Sequence, residues 1–330
     1  MGKPSVLYYN IDDTLDYERS LLAQWGIADD VELVEVKDQD NKKPFVEYAA
    51  DADGMVVEYQ KITRGILEQL PKLKIVSLQS IGYNNVDIPA ATEHGVYVTN
   101  APGFCTEEVA LHTVGLIIDL VRKLSFFDRS VRAGHWNPLL GPTLHRLTGQ
   151  KIGLVFFGSI PKRMTPILKA MGLQVLVYAP TKTSEYLAEF GVDKVQTLDE
   201  LLEQSDIVSL HTPLLPETTH LISAAHLKRM KKSAFLINTA RGAVVDEEAL
   251  VQALKNGEIA GAGIDVIEDE VNETSGLFGM ENVVITPHAA FVSEQSFYSA
   301  REIALDQLVS LLVHKKRPSN LVNKDVRGDY

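Results

Sequence analysis

Three apolar stretches of the chain each run into polar groups able to do chemistry. "LINTARG" leads to Arg241, "GAGIDVIEDE" to the acids Glu268, Asp269 and Glu270, and "VVITPH" to His288. An arginine holds a carboxylate through two parallel charge-assisted hydrogen bonds and polarises a carbonyl beside it. A histidine exchanges a proton near neutral pH. A carboxylate next to that histidine favours the imidazolium and fixes which ring nitrogen faces the substrate. Together these residue types suit the reduction of a 2-keto acid, with the histidine protonating the carbonyl oxygen as a hydride arrives. Spacing alone does not choose the acid: Glu273 lies in the same stretch, and a solvated acidic loop is the plain alternative.

A hydride needs a carrier. "KIGLVFFGSIPKRM", residues 151–164, has the form of a strand, a glycine turn and a helix, the arrangement whose free N–H groups receive a dinucleotide pyrophosphate. Of the G-x-G-x-x-G fingerprint only Gly158 is present, at the position where the backbone must approach the pyrophosphate, and Phe156 and Pro161 stand in the other two places. Proline is tolerated in a first helical turn because its missing N–H has no helical acceptor there. Its bulk predicts a slightly displaced helix. Further on, where an acid ordinarily holds the ribose 2′-hydroxyl, "VYAPTKT" has Ala179. A neutral wall followed by Thr181 and Lys182 suits a 2′-phosphate, so NADP is the preferred cofactor on this reading. Taken alone, a turn with one glycine is equally an ordinary connection, and Lys182 equally a surface lysine.

These groups need elements to hold them. At 330 residues the chain exceeds one average domain. Short β-branched runs recur at 6–9, 55–58, 74–78 and 96–99, and again at 152–157, 175–178, 207–210, 234–238, 262–266 and 283–286, with helical stretches between them. Strands alternating with helices predict parallel sheets covered on both faces, and two series predict two α/β domains. Pro102 and Gly103 mark the joint between them. The segment 107–127 is apolar but interrupted by His112, Asp119 and Arg122, which predicts a buried helix and not a membrane span. His112 is expected to be a hydrogen-bonded helix residue, and Trp136 and Tyr83 to pack at a cleft between the domains.

The net charge of −12 argues against nucleic acid and anionic lipid as partners. A single cysteine, Cys105, forms no internal disulfide, and no signal-peptide core is evident at the start, so a reducing cytoplasm is expected. No cluster at metal-ligand spacing occurs in the sequence, and no metal is expected.

"GYNNVD", "VTNAPG", "RAGHW", "SLHTPL", "NTARG", "GIDVIEDE", "TPH" and "NLVN", in this order and with the glycine turn, resemble the D-isomer-specific 2-hydroxyacid dehydrogenase family. That family includes D-lactate, glycerate and phosphoglycerate dehydrogenases and shares its fold with the C-terminal-binding-protein corepressors. The resemblance covers nearly the whole chain. It implies two Rossmann-like domains: a coenzyme domain, 101–293, inserted into a flavodoxin-like substrate domain formed by 1–100 and 294–330. It implies Arg241, Glu270 and His288 as the catalytic set, acting with NAD(P)H on a small 2-keto or 2-hydroxy acid. Gly158, Ser159 and Ile160 would meet the pyrophosphate, His211, Thr212 and Pro213 the adenosine side, Thr239 and Ala240 the nicotinamide side, and Asp265 the nicotinamide carboxamide. Ser80, Ile81 and Gly82 would bind the substrate carboxylate through their backbone. A homodimer through the coenzyme domain, touching along 109–124, is also implied. Besides the altered turn and Ala179, Leu111 departs from the family in replacing a glutamate. A nucleotide-sensing interaction protein like the corepressors is the alternative reading.

Overall fold

The computed structural model describes residues 2–328 apart from 12, 39–41, 59 and 142. Its chain divides into two compact units, residues 1–104 with 293–330, and residues 105–292.

The first unit holds a parallel sheet of β1 (Ser5–Tyr9), β2 (Glu32–Val36), β3 (Gly54–Val57), β4 (Ile75–Ser77) and β5 (Tyr97–Thr99), in the order β2-β1-β3-β4-β5. Side chains alternate across the sheet with the strand period of two. Leu7, Tyr9, Met55, Val57, Val76 and Val98 face one core, and Val6, Tyr8, Val56, Ile75 and Tyr97 face the other. The second core is closed by the helix Glu294–Leu312 through Leu305, Leu308 and Leu312. Gly54 lets this helix approach, since a Cβ there would stand 2.8 Å from a Leu308 methyl. Ser77 Oγ adds a hydrogen bond of 3.0 Å to the Ala304 carbonyl. On the same helix the buried Arg301 meets the fully buried Glu18 at 2.8 Å and Asp13 at 2.7 Å. Removing one member of such a pair costs about 3–5 kcal/mol, because the other charge stays buried.

The second unit is built on β6 (Lys151–Val155), β7 (Gln174–Tyr178), β8 (Asp193–Lys194), β9 (Ile207–Leu210), β10 (Phe235–Asn238), β11 (Gly261–Ile264) and β12 (Val283–Ile285). All are parallel, in the order β12-β11-β10-β9-β6-β7-β8. Strand order therefore reverses between β6 and β9, the crevice where open α/β sheets bind ligands. Helices Thr106–Arg122 and Ser159–Ala170 cover one face through Ile117, Leu120, Met164 and Leu168. Helices Leu198–Gln204 and Glu247–Lys255 cover the other through Leu201, Leu250 and Leu254.

The two α/β domains and their parallel sheets match the sequence reading, but three details differ. β2 and β8 fall outside the expected strands: both are edge strands, which lack the continuous apolar run of a strand buried on both faces. The expected buried helix over 107–127 is two helices. Glu107 and Glu108 complement the start of the first, and Lys123, at φ 56°, ends it. The following helix, Leu124–Arg132, buries none of its residues. Trp136, expected to pack, is 88% exposed, whereas Tyr83 does pack on the first unit's core. Among the described residues no helix is long and apolar enough to cross a membrane.

Candidate active site

Candidate groups of the second unit lie just beyond the carboxyl ends of strands, Gly158 after β6, Ala179 after β7, His211 after β9, Arg241 after β10, Asp265 after β11 and His288 after β12, while Glu270 lies further along the loop after β11. Parallel strands make this inevitable, since all their carboxyl ends share one edge of the sheet.

At the glycine turn β6 stops at Val155, so the two phenylalanines expected to extend it lie outside the strand. Phe156 N–H donates to Tyr178 O at 2.7 Å, Phe156 takes φ +70°, and the Phe157 ring drops into the core. The N–H groups of residues 157–160 find no acceptor among the described residues. The first turn of the helix carries no acid. A Cβ built on Gly158 meets nothing within 4 Å, and its φ of −94° is open to any residue. Neither packing nor backbone requires glycine here. A ligand phosphate would, and the unpaired N–H groups fit one. Proline at 161 and again at 166 leaves the helix continuous from Ser159 to Ala170.

Phe156 occupies a left-handed conformation that glycine adopts freely and other residues resist by about 1–2 kcal/mol. Phe156→Gly and Phe156→Ala both remove its ring from the core. The glycine variant is expected to be the more stable by about 1 kcal/mol in chemical denaturation, reversing the usual order of the two residues.

Burial pushes the pKa of His211 down to about 3, so its ring is neutral at pH 7. Its Nε2 lies 3.0 Å from Ser209 Oγ. Thr212 is buried beside it and Pro213 exposed. Thr181 is exposed and Lys182 half-buried after the buried Ala179.

The turn after β10 is stapled by Asn238, a residue that the sequence does not single out. Its Oδ1 accepts from Ala240 N–H at 3.0 Å and its Nδ2 donates to Arg241 O at 2.9 Å. Thr239 Oγ1 meets Thr113 Oγ1 at 2.9 Å. Arg241 is half-buried and bonds Ala240 O at 2.6 Å, and burial lowers its pKa against the pull of Glu270. Gly242 is pressed on the next loop: a Cβ there would overlap the Ile267 carbonyl and crowd the Glu268 nitrogen. Gly242→Ala is therefore expected to cost about 3 kcal/mol, read as a lowered Tm, because both colliding partners are backbone.

Asp265 is buried and orders the turn that carries His288. Its Oδ1 accepts from Thr286 Oγ1 at 2.5 Å and Ala289 N–H at 2.9 Å, and its Oδ2 accepts from Ala290 N–H at 3.0 Å. His288 N–H donates to Asp265 O at 2.7 Å. These bonds hold His288 at φ 51°, a strained setting for a residue with a Cβ. From the Thr106–Arg122 helix, His112 Nε2 reaches Thr286 Oγ1 at 3.0 Å, the hydrogen bond expected of it. His288 Nδ1 then lies 2.9 Å from Glu270 Oε2, leaving Nε2 as the nitrogen available to a substrate. Burial disfavours the Glu270 charge, yet the hydrogen bond and charge of His288, with Arg241 behind them, hold its carboxyl below its ordinary range. The neighbouring acids have other partners: Glu268 sits against His220, and Asp269 bonds Asn272 and Thr274.

In the first unit, the Ser80–Gly82 loop follows β4. Its carbonyls are occupied: Ala101 N–H bonds Ser80 O, Asn100 Nδ2 bonds Ile81 O, and Ser80 Oγ bonds Gly82 O. The N–H groups of Ser80, Ile81 and Gly82 have no acceptor among the described residues, as a carboxylate-binding loop requires. Cys105 is buried, and its thiol is pushed up to about 12 by burial and Glu108. Among the described residues no group of His, Cys, Asp or Glu could hold a metal ion.

Residues 114–290 match the family model described as D-isomer specific 2-hydroxyacid dehydrogenase, NAD binding domain. A glyoxylate reductase of Korarchaeum cryptofilum is 39% identical over 291 residues, 87% of each chain. Among solved structures, a D-isomer specific 2-hydroxyacid dehydrogenase of Lactobacillus delbrueckii in its NAD complexed form is 29% identical, with a TM-score of 0.77 over 97% of this chain and 100% of that one. An acyclic imino acid reductase in complex with NADPH and D-arginine is 25% identical, with a TM-score of 0.83 over 96% and 99%.

Proposed function

We infer the reaction from one premise: the chain belongs to the D-isomer-specific 2-hydroxyacid dehydrogenase family. It is an NAD(P)-dependent oxidoreductase that interconverts a small 2-keto acid and a D-2-hydroxy acid, in keeping with the reductases among its relatives. Those relatives give the sensing alternative no support. The observation that supports a catalytic site most directly is the 2.9 Å pair of His288 and Glu270, with the half-buried Arg241 close enough to bias the Glu270 charge.

The cofactor is a nicotinamide dinucleotide, which when bound supplies or accepts the hydride at the substrate C2. Gly158, Ser159 and Ile160 would hold its pyrophosphate, His211, Thr212 and Pro213 its adenosine side, and Thr239, Ala240 and Asp265 its nicotinamide side. Arg241 anchors the substrate carboxylate and polarises the keto oxygen. In the first unit, the Ser80–Gly82 N–H groups are suited to a carboxylate. His288 Nε2 delivers a proton to the oxygen during reduction and recovers it during oxidation. Glu270 orients the ring from Nδ1. With Ala179 in place of the ribose acid and Thr181 and Lys182 beyond it, the preferred cofactor is NADPH.

The residues 1–100 and 294–330 form the substrate domain, and 101–293 the coenzyme domain. The active form is a homodimer joined through the coenzyme domain. Leu111 is 50% exposed, and Leu124, Val131, Trp136 and Leu139 lie exposed along a stretch in which no residue is fully buried. Light scattering on the purified protein would give twice the chain mass. The cytoplasm is the proposed compartment.

Steady-state reduction of glyoxylate and other small 2-keto acids, followed by nicotinamide absorbance, tests the activity. Nucleotide binding without turnover of any of them would refute it.

A further inference from the structure

We propose that Lys162 and Lys182, arranged around the ring of Tyr186, form a subsite for the 2′-phosphate of NADPH. The inference rests on the dinucleotide reading of the glycine turn and adds to it a second cation, on a different element, that the sequence did not single out.

Lys162 lies one helical turn beyond Gly158, and its N–H closes the helix onto Gly158 O at 3.2 Å. Lys182 follows the end of β7. The ammonium groups of both stand 5.2 Å from the Tyr186 ring centroid, and that of Lys162 also stands 5.4 Å from Phe190. The rings are themselves connected. Phe157 of the glycine turn packs edge-on against Phe190 at 5.3 Å, and Phe190 against Tyr186 at 5.3 Å. The aromatic chain thus ties the pyrophosphate turn to the two cations and limits the freedom of both lysines through cation–π contacts. A third lysine fixes the loop: Lys194 Nζ donates to Lys182 O at 2.5 Å.

The charge balance of this corner is unusual. The chain carries 44 acids against 32 lysines and arginines, yet no carboxylate among the described residues lies within ion-pair distance of Lys162 or Lys182. Ala179 supplies none at the strand end. Glu185, in the short helix after it, is engaged by its own backbone, by Thr183 and by the charge of Lys194. Two ammonium groups with no counter-ion among the described residues, one of them following a strand end that carries no acid, suit a dianion and leave an uncharged 2′-hydroxyl with little to bond.

Titration of NADPH and NADH by nicotinamide fluorescence, and of 2′,5′-ADP by competition, on the intact protein tests the subsite. The wild type is expected to bind NADPH at least tenfold more tightly than NADH. Lys162→Ala and Lys182→Ala should each weaken NADPH and 2′,5′-ADP about tenfold while changing NADH less than twofold, and Lys162→Arg should keep most of the NADPH affinity. Unchanged NADH affinity guards against a variant that has merely misfolded. A lysine variant that leaves the NADPH-to-NADH ratio unaltered overturns the subsite, as does a wild type that prefers NADH, and in both cases the dinucleotide reading stands. Failure of the wild type to bind either nucleotide overturns both.

Discussion

Replacing Arg241 with alanine is expected to lower kcat/KM for 2-keto acid reduction by roughly 10³-fold, about 4 kcal/mol of transition-state stabilisation. In the proposed mechanism the guanidinium fixes the substrate carboxylate and stabilises charge on the keto oxygen, and alanine does neither. Burial of the side chain makes the contact stronger than a surface ion pair, because water screens it less. Lysine should recover little, since a single ammonium cannot present two parallel donors to a carboxylate. The turn itself should survive, for it is held by Asn238 through backbone groups that the substitution leaves in place. Nucleotide affinity and Tm close to wild type, together with the lost turnover, would place the defect at the substrate. Full activity of Arg241→Ala would remove the residue from the mechanism.

His288→Asn should lower kcat by roughly 10²- to 10⁴-fold, the range for loss of a general acid, with a far smaller effect on nucleotide binding. Glu270→Gln is the milder and more diagnostic change. It keeps a hydrogen-bonding group near Nδ1 but removes the charge that pairs with the ring, so kcat should fall by less than in His288→Asn, with nucleotide affinity close to wild type. The carboxylate also brings a pH dependence of stability. The Glu270 carboxyl titrates below its ordinary range in the folded protein, so its contribution to stability is present above the unfolded value and is lost as pH falls through the folded one. The His288–Glu270 pair should therefore persist into mildly acid solution. A Glu270→Gln variant with wild-type kcat would show that the carboxylate does not act through the histidine.

The buried strands were legible because a strand covered on both faces must be apolar throughout, as "IVSL" and "FLIN" are. Edge strands β2 and β8 escape that constraint, and their sequences, "ELVEV" and "DK", read as surface. The break at Lys123 left no proline or glycine to announce it. There the Asp119 carboxylate takes the Ser125 N–H at 2.7 Å, satisfying the start of the next helix across a turn that local propensity does not encode.

For the proposed chemistry, the residue types and their order were legible in the sequence, because parallel strands bring the residues just beyond their carboxyl ends to one edge of the sheet. It also placed Gly158 at the turn and left no acid at Ala179. It could not say which acid of "EDE" meets the histidine, and only the resemblance to a family supplied an answer. The tertiary structure separates the three by their partners: Glu268 against His220, Asp269 against its own loop, Glu270 against His288. Asp265 and Gly242 likewise acquire their roles only in three dimensions, one by gathering the N–H groups of a turn 24 and 25 residues away, the other by leaving room for the Ile267 carbonyl. Hydrogen bonds and close contacts between distant segments depend on where the whole sheet puts the chain, and the spacing of residues along it does not contain that information.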